Sequence, residues 1–150
     1  MAKRLQQVLP DGMVGAERKG AIAMLETAYW LYLANMTLLV VHEMDSAYWR
    51  EWDLFHLKGG AGAFLLVHIP LVLALLWGAG EMRDGSTAGL ALSMALAIAG
   101  VCAFFIHMYF IRRGHPEFTT PVSVFILAST LIVSLVQMPL AILLLLRPGA

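Results

Sequence analysis

Four long apolar runs, each closed by a short cluster of polar and turn-forming residues, set the layout of this chain. The first covers about 21–45, and its helical pattern continues from Asp45 toward Trp52. The second covers 60–78, the third 88–111 and the fourth 121–146. A helix rising 1.5 Å per residue needs about 20 apolar residues to cross a hydrocarbon core about 30 Å thick, and each run supplies roughly that number. The pattern predicts an all-α fold, a four-helix transmembrane bundle in a single domain. Pro70 and Pro139 lie inside runs without ending them, because neighbouring helices can satisfy the freed carbonyls; a kink is expected near each. Tyr29, Trp30, Tyr48, Trp49, Trp52, Trp77 and Tyr109 fall at interfacial depths. Segment 1–20 reads as a cytoplasmic N-terminal stretch, amphipathic in part through Lys3 and Arg4, without the pattern of a cleaved export signal. Residues 148–150 form a tail.

Composition sharpens this picture. Hydrophobic residues make up 60% of the chain and charged residues 13%, with a mean hydropathy of +0.77. A soluble domain carries about 25% charge, so this chain cannot cover a globule with hydrated side chains. Ten basic and ten acidic residues cancel, and no basic stripe recommends nucleic acid as a partner. The lone cysteine, Cys102, excludes an intrachain disulfide and a thiolate metal cage. For orientation, Lys3, Arg4, Arg18, Lys19, Arg83 and Arg147 stand on the side of the termini, against Arg50, Lys58, Arg112 and Arg113 on the other. That imbalance places both termini in the cytoplasm of a multi-pass inner-membrane protein.

The candidate chemistry lies away from the termini. Alternating span direction brings His42, His68 and His107 into the same half of the bundle, with His56 and His115 in adjoining loops. His42 and Asp45 share a helix face through their i,i+3 spacing. Imidazole and carboxylate together suit zinc first and manganese or iron after it. His42, Asp45, His68 and His107 are therefore the expected metal ligands. Glu43 or Glu51 is expected beside them as a further ligand, an orienter or the base, and His115 as a proton donor at the mouth. The zincin pattern HExxH is absent, because Ser46 stands four residues after His42. A hydrated interfacial cluster competes with this reading, but His68 deep in a span requires a partner or a cavity. Asn35 and Gln137 are read first as interhelical glue and second as a polar line toward the cluster.

His42-Glu43-x-Asp45 followed by Glu51-Trp52 resembles the motif of a family of small uncharacterised bacterial integral membrane proteins. That resemblance implies only that these residues belong to the family's motif, since the family carries no established activity. Four functions compete: a metal-dependent membrane hydrolase acting on a lipid or amphipathic substrate; a small oligomeric transporter, channel or ion-binding subunit; a haem protein with His68 and His107 as axial ligands; and an accessory or assembly subunit. Membrane lipids and a second copy of the chain are the expected partners.

Overall fold

The computed structural model describes residues 15–147; the expectations for segment 1–14 and for the tail lie outside it. Among the described residues there is no strand, and four long helices and one short one carry the fold. They are α1 (Gly15–Tyr48), α2 (Glu51–Leu54), α3 (Gly60–Asp84), α4 (Thr87–Arg112) and α5 (Pro121–Leu145). Each of the four long helices is long and apolar enough to cross a membrane. The helices run through Pro70 and Pro139 without a break. Contacts close the long helices into a ring: α1 against α3 and α5, and α4 against α3 and α5. Helices α1 and α4 also meet across the diagonal, whereas α3 and α5 do not touch.

Local chemistry sets the turns. Between α3 and α4, Gly85 takes the left-handed conformation (φ 70°) that glycine tolerates best. Gly85 N–H then bonds the Met82 carbonyl and Ser86 N–H bonds that of Glu81, a Schellman stop. Ser86 immediately caps the next helix, its hydroxyl accepting from Gly89 N–H at 3.0 Å. A Cβ at Gly89 would collide with the backbone of Glu81 and Met82, so glycine there lets α3 and α4 approach closely. Thr120 caps α5 in the same manner, accepting from Ser123 N–H at 3.1 Å, with Pro121 at the first helical position. Arg147 at the end of α5 reaches Met24 of α1 at 2.9 Å, which places the two ends of the described chain together.

The interior is polar at mid-depth. Asn35 Nδ2 donates to Ser134 Oγ (3.0 Å) and Gln137 Oε1 (2.8 Å), and Gln137 Nε2 donates to the carbonyl and hydroxyl of Ser93 (2.8 Å each). Gln137 thus joins α1, α4 and α5. Without water, such side chains must satisfy one another. On the terminal side of this layer lies an apolar core that includes Leu25, Tyr32, Met82, Leu90 and Leu144. On the other side lie the histidines.

Candidate metal centre

Helix α1 ends at Tyr48, and Arg50 adopts a left-handed conformation (φ 56°, ψ 48°) before the single turn of α2 begins. That reversal folds Glu51 and Trp52 back over the bundle end. The Glu51 side chain is left 13% exposed and Trp52 is buried. Left-handed φ is costly for a residue with a Cβ, and the one-turn helix it starts is held through Trp52 against Phe64 of α3 (ring centroids 5.4 Å).

His42 and His107 meet edge to face across the α1–α4 diagonal, their ring centroids 4.6 Å apart. Both rings are 2% exposed. Phe118, in the loop before α5, closes the site: it is buried at φ 68° and stands 4.2 Å from the His107 ring and 6.4 Å from that of His42. His107 Nδ1–H donates to the Ala103 carbonyl at 2.7 Å. That bond occupies Nδ1, so Nε2 is the nitrogen turned to the site, buried and without a hydrogen-bond partner. His42 Nδ1 is likewise buried and unpartnered. Glu51 Oε1 lies 3.7 Å from His107 Nε2. One ligand atom from each of His42, Glu51 and His107 falls within 4.8 Å of the others. Ligands sharing a zinc ion at 2.0–2.2 Å sit about 3.5–4 Å apart, so a small side-chain adjustment suffices to close the set. The donor chemistry also fits: two imidazoles with available nitrogens and one carboxylate make a three-ligand set of the kind found at catalytic zinc. Among the described residues this is the one such group of three.

Burial pushes the Glu51 carboxyl above the usual carboxylate range. The Ser46 hydroxyl pulls it down, as do the His107 and His68 rings, whereas Glu43 pushes it up.

The structure brings together two of the four ligands expected from the sequence and joins them with Glu51, expected there as ligand, orienter or base. Asp45 is outside the group despite its spacing from His42; its Oδ2 is buried without a hydrogen-bond partner. His68 is also outside it. Its Nδ1–H donates to the Phe64 carbonyl at 2.6 Å and its Nε2 pairs with Glu43 Oε2 at 2.8 Å. Glu43 is thereby held by His68. His115 pairs loosely with Glu117 at 3.6 Å in the α4–α5 loop, apart from the three-residue group. Phe118 was not singled out by sequence reasoning, and its signal is slight: it is the one large apolar residue between Arg113 and Pro121.

The Glu43–His68 pair separates two cavities. A larger one of about 480 Å³ lies between α1, α3 and α4 and is lined almost wholly by apolar side chains. A smaller one of about 320 Å³ adds Glu51, Trp52 and Lys58 to the same pair.

Over residues 28–144, which include all three members of the group and the Glu43–His68 pair, the chain matches DUF6713, described as a family of unknown function, and it belongs to that family. No curated protein and no solved structure matches it.

Proposed function

We propose that this chain is a membrane-embedded metalloprotein holding a divalent ion, zinc by preference, on His42, Glu51 and His107, and that it hydrolyses an amphipathic substrate. The observation that carries the reading is the pair of buried, unpartnered nitrogens, His42 Nδ1 and His107 Nε2, beside Glu51. Leaving such atoms without a partner costs about 1–3 kcal/mol each, a cost an ion would remove. His42, Glu51 and His107 would hold the ion, which when bound would supply a water acidic enough to act near neutral pH. In hydrolysis the water's hydroxyl goes to the acyl or phosphoryl centre and its proton to the departing alcohol. Glu43 and His68 share one proton between them and line the same cavity as Glu51, which suits them to that transfer.

Haem is less well supported, since His68 Nε2 is engaged by Glu43 and the His107 ring is packed against His42 and Phe118. The transporter reading draws on Asn35, Thr37, Ser134 and Gln137, but the Asn35 amide nitrogen is spent on Ser134 and Gln137 and the Thr37 hydroxyl on its own helix. The test is metal content after purification under metal-replete conditions. Equimolar zinc, manganese or iron is expected in the wild type and in His68→Ala, and none in His42→Ala or His107→Ala. A metal-free wild type overturns the reading.

A further inference from the structure

Helix α3 joins the bundle mainly through its second half, where Gly78 and Met82 are its only buried residues. A side chain at Gly78 would strike the Tyr32 ring, whose hydroxyl donates to the Leu75 carbonyl at 2.9 Å. That contact pins α3 to α1 at one level. Toward the histidines, α3 stands off α1 and α4, and the larger cavity fills the gap. Its lining on α1 runs from Tyr32 to Ala47, roughly 22 Å of helix. Its volume of about 480 Å³ is drawn out along that length, a long apolar trough rather than a round chamber. Its walls are apolar until Glu43 and His68.

Beyond that pair the smaller cavity changes character. With an ion on the three ligands, its divalent charge would exceed that of Glu51, and Lys58 stands at the same wall beside the hydrogen-bonded Glu43–His68 pair. The balance favours an anion.

We infer that the two cavities form one binding site for a single-chain amphiphile with an anionic oxyacid head: the chain lies between α1, α3 and α4, and the head passes Glu43–His68 to meet Lys58 and the metal centre. The chain site stands on cavity shape alone; the head preference rests on the metal reading.

Native mass spectrometry of the purified protein, with zinc content measured in parallel, separates the two. The probes are palmitate, 1-palmitoyl lysophosphatidate and lysophosphatidylcholine with the same chain. Zinc-loaded wild type is expected to retain one or both anionic probes about tenfold better than the zwitterionic one, and comparing the two tells carboxylate from phosphate. Ala95→Trp, which fills the α4 wall of the larger cavity, should lose all three adducts while keeping its zinc. His107→Ala should lose zinc and the anionic preference while keeping chain binding. Adducts undiminished in zinc-replete Ala95→Trp, no adduct at all, or no anionic preference with zinc bound would each overturn the inference. A zinc-free wild type whose adducts still vanish in Ala95→Trp keeps the chain site and rejects only the metal reading.

Discussion

A histidine that donates Nδ1–H to a carbonyl four residues back has one nitrogen left to offer, and the use of that nitrogen separates His68 from His107. In both, the backbone bond sets the tautomer. His68 spends its Nε2 on Glu43, whereas His107 presents an unpartnered Nε2 on the side of Glu51. The consequence for Glu51 is a dependence on pH. Burial raises its folded-state pKa above the unfolded value, so its contribution to stability is fully present below the unfolded carboxylate pKa and is lost as pH rises through the raised one. The melting temperature of metal-free protein in detergent should therefore fall over that window, and Glu51→Gln should flatten the fall. Zinc needs the ionised carboxylate, so loading should release a proton that Glu51→Gln does not release. An identical pH profile in the two proteins would contradict this. The convergence of His42 and His107 was legible in the sequence, because it follows from span direction. Glu51 was legible as a candidate beside them, but the turn that places it was not: it depends on left-handed Arg50, a residue that carries no turn signal of the kind glycine or asparagine gives. The spacing of Asp45 from His42 showed a shared helix face but could not show which partner that face would meet.

Among the elements, α5 ties the bundle together and α3 opens it. Gln137 of α5 is the hub: it accepts from Asn35 of α1 and donates twice to Ser93 of α4. Interhelical hydrogen bonds in membranes contribute about 0.6 kcal/mol each, so Gln137→Ala should cost about 2 kcal/mol in a reversible unfolding measurement in bicelles. A change below about 0.5 kcal/mol would mean that the bonds are replaced by others. Gly100 marks the same seam, because a Cβ there would strike Ser134 and Thr130; Gly100→Leu should prise α4 from α5 and lower metal content as His107 moves. The periodicity of these helices was readable as spans, and the mutual satisfaction of Asn35 and Gln137 fits their expected role as glue. The cavity was not readable. Its origin is the unequal attachment of α3, which buries fully only Gly78 and Met82, while its sequence from Gly60 to Gly80 is apolar on every face apart from His68. A helix apolar on all sides gives no sign of which face meets protein and which meets lipid.

For the whole molecule, the ring of four alternating helices places the α3–α4 turn at the end where α1 begins and α5 finishes, and α2 with the candidate ligand Glu51 at the other. Which end faces the cytoplasm is a question of charge rather than packing. The basic residues favour the terminal end by six to four over the full sequence. That is a narrow margin, and it decides where a metal ion and an amphiphile would enter. With the termini inside, the loop that carries Lys58 and Glu51 opens on the outer side, where an extracytoplasmic ion reaches it without crossing the bilayer. Cysteine accessibility tests this directly. Cys102 is exposed on α4 and is first replaced by serine to clear the background. A cysteine at Leu57, 58% exposed in the loop before α3, should then react with an impermeant maleimide in intact cells. One at Thr87, at the opposite end of the bundle, should react only after permeabilisation. The reverse pattern would invert the orientation and turn the site toward the cytoplasm while leaving its geometry unchanged. Labelling of both positions in intact cells would rule out a four-span arrangement, because the single crossing of α3 separates them.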